Sequence, residues 1–408
     1  DLCTVKPMKG TMARGLTWEE DLQKAQSLHN DIKNRSENVM IVDLLRNDLG
    51  RLSKKGSIKM KSMFDVETFT TLHQMTSTIT GILKDKTPLA DIFKAFFPCG
   101  SVTGAPKIRT MEIIHELEDS PRGVYTGGIG FISPDNNSTF NVPIRTLVLN
   151  QDQSEMGIGS GITNDSDPED EWQECLLKAK FLTAPTPDFQ LIETLLWSRK
   201  NGFLLLNQHL TRLTKSANYF DFAIDPKRIR QKIERTICTI KEHDSARIRL
   251  LLYRDGSVTI TTCHCESPKM LTFPSAPTPP EALLPSIKLS SQQVSSQSAF
   301  IYHKTSNRHL YDSERDTATK EGFCEVIFQN EHGEITEGCI STLFIRKHTH
   351  YFTPPVKCGL LPGTFREHLL HTSPNQICEK ILHPEDLNNA DAIYIANSVR
   401  GITQVTIR

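Results

Sequence analysis

Charge of one sign is what this sequence most plainly lacks: across 408 residues, 47 lysines and arginines stand against 48 aspartates and glutamates, a formal charge of −1. Attraction to polyanions as a class needs a basic excess, so neither nucleic acid nor an anionic membrane is implied as a partner. Long apolar runs are missing as well, and none approaches the roughly 20 residues that a spanning helix requires. A composition 38% hydrophobic and 23% charged excludes a disordered chain. No C-x-x-C pair occurs among the ten cysteines, and Cys263-His264-Cys265 has no second ligand pair at zinc spacing. The thiols read as scattered reduced cysteines of a cytoplasmic protein. Internal repeats and low-complexity tracts are absent. So is the Walker order: Gly100-Ser-Val-Thr-Gly-Ala-Pro-Lys107 approaches it only loosely, which sets a nucleotide reading aside.

What is there suffices for two to three domains at roughly 150 residues each. The composition breaks at Thr183-Ala-Pro-Thr-Pro-Asp188, where two prolines disfavour helix and sheet. A first domain over 1–183, a linker at 184–188 and a second domain over 189–408 follow. A further Pro-rich stretch from Ser267 to Ser286 divides the second into lobes of about 189–285 and 286–408. Both halves mix helix and strand patterns, which predicts an α+β architecture. Leu16–Arg35, 105–118 and Glu169–Leu182 have helical spacing, the last opened by Asp167-Pro168. Asn38–Leu45 is simply apolar, and Asp255-Gly256 is the turn of a hairpin between 246–253 and 256–264.

In the first half, Glu171, Glu174 and Lys178 share one side of a helix by their spacing. Paired carboxylates with open positions suit Mg²⁺, although spacing alone favours an ordinary solvated helix face. Glycines 157, 159 and 161 let backbone approach a ligand; a glycine-rich strand end without function is as good a reading of them. The segment Gly100–Lys107 leads into a helix start, which favours an anion.

Five motifs in this order resemble the chorismate-binding enzymes. They are Lys6-Pro-Met-Lys-Gly-Thr11, Arg35 to Arg51, Gly100 to Lys107, Asn141-Val-Pro-Ile-Arg-Thr146 and Gly157 to Lys178. That family includes anthranilate, isochorismate and aminodeoxychorismate synthases, and the likeness covers nearly all of 1–183. It implies an α/β-sandwich domain in which Glu37 and Glu174, with Glu171 close by, hold Mg²⁺. It implies further that Thr103, Tyr125, Arg145, Lys178 and the backbone of Gly159 and Gly161 hold chorismate. Lys9 falls where the aminodeoxychorismate synthases carry a lysine and anthranilate synthases usually an alanine. The resemblance makes it the nucleophile of a transient ring adduct that ammonia later displaces. Outside this motif it would pass for a surface lysine. Gln74, rather than His73, takes the place of a functional histidine of the anthranilate synthases.

In the second half, Gln208-His-Leu-Thr-Arg-Leu213, Tyr302-His-Lys-Thr-Ser-Asn-Arg308, Glu334 to Ser341 and Leu360 to Arg366 stand out. None decides anything alone, and a lone Lys304 is most often a solvated side chain. Together they resemble the fold-type-IV enzymes of pyridoxal 5'-phosphate, among them branched-chain and D-amino acid aminotransferases and aminodeoxychorismate lyase. The resemblance implies that Lys304 joins the cofactor, Arg212 binds its phosphate and Glu337 pairs with the pyridine nitrogen. Ile340, Ser341 and Ser398 would complete the phosphate cup, and Thr194 is a candidate near the substrate. Asn397 to Gly401 and Leu191 to Thr194 resemble the lyase forms that follow a chorismate-binding domain.

Jointly the resemblances imply 4-aminobenzoate synthesis: amination of chorismate by ammonia, then removal of pyruvate. A separate glutamine amidotransferase subunit would supply ammonia, and the second domain would form a homodimer. An anthranilate-type synthase fused to an aminotransferase is the nearest alternative, which Lys9 disfavours. A non-catalytic scaffold is another, disfavoured because Glu37, Glu174, Lys304 and Glu337 are all present. Asp1 lies only a few residues before Lys9, whereas the family has substantial sequence upstream, so the resemblance implies a first domain lacking its N-terminal part.

Overall fold

The computed structural model describes the chain except residues 163–165, 180–181, 183–186, 239, 241–242 and 275–283. Most of the expected linker, 184–186, lies outside the described residues. The chain forms two compact units, one of residues 1–14 with 23–186 and one of 15–22 with 187–408. One break near 183 is what the sequence predicts; the structure adds Gly15–Leu22 to the second unit.

The first elements are β1 (Leu2–Val5), β2 (Met8–Ala13), α1 (Trp18–Asn30), α2 (Ile32–Leu52), β3 (Lys59–Thr68) and β4 (Leu72–Ile82). The long β4 organises the sheet, pairing antiparallel with β1, β2 and β3. The Asp31 carboxylate caps α2 by accepting the Asn34 N–H at 2.7 Å, satisfying a donor that a helix start leaves free. Ile41, Val42, Leu45 and Leu49 then recur on one helix face and bury against Ile79 of β4 and Cys99, each stabilising the unit by about 1.5–3 kcal/mol. The apolar stretch Asn38–Leu45 is therefore the middle of a 21-residue helix. Next come α3 (Leu89–Phe96), α4 (Gly100–Thr103) and α5 (Lys107–Leu117). Two separate hairpins follow, β5 (Ile129–Ile132) with β6 (Ser138–Asn141) and β7 (Leu147–Leu149) with β8 (Ser154–Met156), before α6 (Pro168–Ala179).

Among the described residues the second unit has two sheets. In the smaller, β9 (Leu191–Ser198) lies between β10 (Gly202–Phe203) and β11 (Ser245–Leu252), with β12 (Val258–His264) outermost. The expected hairpin at Asp255-Gly256 joins β11 to β12, and Gly256 takes φ 83°, where a side chain is disfavoured. Packed on this sheet are α7 (Leu206–Phe220) and α8 (Pro226–Ile237), which bury Leu210, Leu213, Ala217, Ile229 and Ile233 with Leu191, Leu195 and Ile248 of the strands.

The larger sheet is built from β13 (Ser286–Val294), β14 (Glu325–Asn330), β15 (Ile335–Gly338), β16 (Thr342–Lys347), β17 (His350–Thr353), β18 (Ile377–Glu379), β19 (Ala392–Asn397) and β20 (Gly401–Ile407). Its order is β15-β14-β13-β20-β19-β16-β17-β18. The helices α9 (His309–Lys320), α10 (Thr364–Thr372) and α11 (Pro384–Asn388) belong to this lobe. The smaller sheet uses residues 191–264 and the larger 286–407. No helix among the described residues is long and apolar enough to cross a membrane.

Candidate functional site

The second unit contains a cavity of about 1130 Å³ bordered by Arg212, Lys304, Glu337, Ile340, Ser341 and Ser398. Separate pieces of the fold bring them there: α7 carries Arg212, β15 carries Glu337, the turn after β15 carries Ile340 and Ser341, the turn after β19 carries Ser398, and the segment between β13 and α9 carries Lys304. Lys304 is fixed by its backbone, its carbonyl accepting the Ile192 N–H at 2.8 Å while Thr305 bridges to Leu191.

Burial decides the electrostatics. It pushes the Lys304 amine down to about 8, helped by Arg212 and Arg308 and opposed by Glu193 and Glu337. It pushes the Glu337 carboxyl up to about 8, against the Leu361 N–H that donates to Oε1 at 3.1 Å and against Lys304, Arg308 and Arg212. Burial disfavours the charged form of both, so both groups titrate close to neutral pH. Burial opposes the charge of Glu193 too, but there Arg212 and His209 win and hold it at about 2. Arg212 meets Glu193 with Nε at 2.9 Å and Nη2 at 2.7 Å, and donates Nη1 to the Pro362 carbonyl at 3.2 Å. His209 Nδ1 lies 2.7 Å from Glu193 and its Nε2 3.2 Å from Thr364 Oγ1. Of five guanidinium N–H groups, these bonds leave some for a ligand.

The remaining cofactor residues are placed less simply. Ile340 N–H and the Ser341 hydroxyl donate to buried Glu325, at 3.3 and 2.6 Å, so these donors are already engaged. Free donors lie instead at the start of α10, where Thr364 and Phe365 border the cavity and a helix leaves its first N–H groups unpaired. The sequence signal was available in Pro362-Gly363-Thr364, a turn opening a helix. Arg247 and Arg249, alternate residues of β11 beside the same cavity, were also missed. They share one sheet face with Thr194, which pairs with Arg249. Tyr311 borders the cavity with a buried hydroxyl that finds no hydrogen-bond partner among the described residues. A polar group inside the cavity would satisfy it, and the donor set of amine, carboxyl, arginine and helix start fits pyridoxal phosphate.

In the first unit, Lys9 Nζ lies 3.4 Å from Glu37. Lys178 pairs with Glu174 at 2.7 Å and donates to the Gly159 carbonyl at 3.0 Å. The glycine run passes between side chains. A Cβ at Gly157 would lie 2.2 Å from the Tyr125 ring and one at Gly159 2.9 Å from its hydroxyl, while one at Gly161 would lie 3.7 Å from Lys9 Nζ. These contacts link the residues in two local groups, Lys9 with Glu37 and Gly161, and Lys178 with Glu174, Gly159 and Tyr125. Asn38, fully buried, donates to the Lys9 carbonyl at 3.0 Å. Gln74 donates to the Gly10 carbonyl at 2.7 Å, whereas His73 is buried against Thr68. Thr103, the last residue of α4, donates to the carbonyl of Cys99 just before that helix. Arg145 is exposed, with φ 54°; among the described residues neither it nor Thr103 is hydrogen-bonded to the Lys9 group.

The expected magnesium ligands are not gathered as a metal site. The Ser160 and Ser166 hydroxyls hold the Glu171 carboxyl below its ordinary range, and lysines neutralise Glu37 and Glu174. Among the described residues no three acidic, histidine or cysteine side chains are close enough to hold a metal ion.

Comparison with known proteins agrees with this division. Residues 1–184 match the family model of the chorismate binding enzyme, and residues 190–407 match that of amino-transferase class IV. Over 182 residues the chain is 50% identical to the probable chloroplastic aminodeoxychorismate synthase of Oryza sativa subsp. japonica, which covers 44% of this chain and 20% of that protein. Over 180 residues it is 44% identical to aminodeoxychorismate synthase component 1 of Salmonella typhimurium, covering 44% of this chain and 40% of that one. The chain thus spans less than half the length of these relatives. Among solved structures, a putative amino-acid aminotransferase from Mesorhizobium loti is 32% identical over 54% of this chain and 100% of its own, with a TM-score of 0.48.

Proposed function

We propose that this chain, which belongs to the amino-transferase class IV family through residues 190–407, uses that half to release pyruvate from 4-amino-4-deoxychorismate, leaving 4-aminobenzoate. Residues 1–184 would make that substrate from chorismate and ammonia, with loss of water. The aminodeoxychorismate synthases matched by the first half support this pairing. Ammonia would come from a glutamine amidotransferase subunit. All ten cysteines are free, which suits the cytoplasm.

One observation carries the reading: the amine of half-buried Lys304, held down to about 8, shares a cavity with the carboxyl of half-buried Glu337 and an arginine already oriented by Glu193. Arg212 and the start of α10 would hold the phosphate, with the Ser398 hydroxyl beside them. Glu337 would face the pyridine nitrogen, and a cationic N–H there would stabilise its carboxylate and reverse the effect of burial. Bound there, the cofactor would supply an electron sink for the carbon that loses its proton. Lys304 Nζ would take that proton from the ring carbon bearing the amine, and the C–O bond to the enolpyruvyl group would break as the ring becomes aromatic. Arg247 and Arg249 offer charge to the substrate's two carboxylates. In the first half Lys9 is proposed as the nucleophile and Lys178, Tyr125 and the glycine run as the substrate's holders.

The neutral amine is the reactive form, so trapping of pyridoxal phosphate on Lys304 by borohydride should rise with pH through about 8, not near 10.4 as for an ordinary lysine. Peptide mapping against pH checks this. To test the whole reading, the protein is incubated with chorismate, an ammonium salt, Mg²⁺ and pyridoxal phosphate. The expected product is 4-aminobenzoate; anthranilate would overturn the proposal.

A further inference from the structure

Glu325 opens β14, is 1% exposed, and is not among the residues that border the cavity. Its carboxylate lies under the turn that joins β15 to β16. Oε1 accepts the Cys339 N–H at 3.1 Å; Oε2 accepts the Ile340 N–H at 3.3 Å and the Ser341 hydroxyl at 2.6 Å. Oε1 also takes the N–H of Val326 at 3.2 Å. Successive donors converging in a turn make a concavity for an anion, and here the chain fills it with its own side chain. Gly338 leaves the space: a Cβ there would lie 2.7 Å from the Ser341 hydroxyl and 2.9 Å from both Cγ and Cδ of Glu325.

The carbonyls of the same turn reach the rest of the site. Arg308, four residues after Lys304, donates Nη2 to the Cys339 carbonyl at 2.6 Å. Asn397, just before Ser398, donates Nδ2 to the Ile340 carbonyl at 3.2 Å, and its Oδ1 accepts the N–H groups of Val399 and Arg400 at 2.9 and 2.8 Å. One buried carboxylate thus stands behind two segments that border the cavity from different directions.

We propose that Glu325 is a positioning residue: by gathering the donors of the 339–341 turn it fixes the carbonyls that hold Arg308 and Asn397, and with them the settings of Lys304, Ser398 and the strand end bearing Glu337. The inference rests on the pyridoxal phosphate reading of this cavity. Charge-assisted bonds to a buried acceptor are strong, and a turn that loses its acceptor shifts to satisfy its donors elsewhere.

Two variants test it. Glu325→Gln keeps the shape but turns an N–H₂ group toward donors. Gly338→Ala keeps the carboxyl group but pushes it and the Ser341 hydroxyl it accepts from out of place. Each is compared with the wild-type chain for thermal midpoint, for the dissociation constant of pyridoxal phosphate by fluorescence, and for the induced circular dichroism of the bound cofactor. Both variants should stay folded, bind roughly 10- to 100-fold more weakly and show an altered dichroic band. Variants that melt earlier yet bind with wild-type affinity and an unchanged band would overturn the inference, leaving Glu325 a purely structural group. A wild-type chain with no binding at all would remove the cofactor reading and this inference together.

Discussion

Replacing Lys304 by alanine should lower pyruvate release from 4-amino-4-deoxychorismate by roughly a thousandfold or more, since it removes both the covalent anchor and the proton carrier. The fold should not suffer. The Lys304 amine makes no hydrogen bond or ion pair among the described residues, and burial disfavours its charged form. Relieving an unpaired buried cation stabilises rather than weakens a fold, so the melting temperature without cofactor should hold or rise. The added stability that pyridoxal phosphate confers by binding the folded state should shrink sharply in the variant. Turnover assays beside melting curves with and without cofactor check both parts. Full activity in the variant would remove Lys304 from the chemistry.

Glu193→Ala should be the most destabilising single change in the second unit. Glu193 is 2% exposed and its two partners are buried with it, His209 at 1% and the Arg212 side chain at 11%. Removing the carboxylate strands a buried guanidinium, a change that costs about 3–5 kcal/mol. The acid limb gives a second signature. The folded carboxyl is held at about 2, below its ordinary 4.5. The stability it contributes is therefore fully present above pH 4.5 and lost as pH falls toward 2. Urea titrations should show a wide gap between wild type and variant at pH 7 that narrows through that window. A gap that stays constant from pH 7 to pH 3 would contradict this account of the network.

Local pattern was legible where a signal is local. The β11–β12 hairpin follows from Asp255-Gly256, and α6 begins at the Pro168 that the sequence marks as a helix start. Helix α2 was less legible because Val39 and Met40, 43% and 57% exposed, fill out an apolar run that hides the helical spacing of Ile41, Val42, Leu45 and Leu49. In the site, motifs identify Arg212, Lys304 and Glu337, but not what holds them. Glu193 lies 19 positions before Arg212, and Glu325 lies 15 before Ile340. Pairings of that span are made by α7 packing on β9 and by β14 meeting β15, and no periodicity within one segment reports them. For the same reason the donors of Ile340 and Ser341 look free in the sequence and are engaged in the fold. The pairing of Lys9 with Glu37 across α2 and β2 is equally invisible in one dimension.

The central claim is that residues 190–407 eliminate pyruvate rather than transfer an amino group. The most direct measurement supplies the protein with 4-amino-4-deoxychorismate, pyridoxal phosphate and 2-oxoglutarate as amino acceptor, and quantifies every product. The account predicts pyruvate and 4-aminobenzoate in equal amounts, dependent on pyridoxal phosphate and on Lys304. Glutamate formed from 2-oxoglutarate, without matching pyruvate, would contradict it.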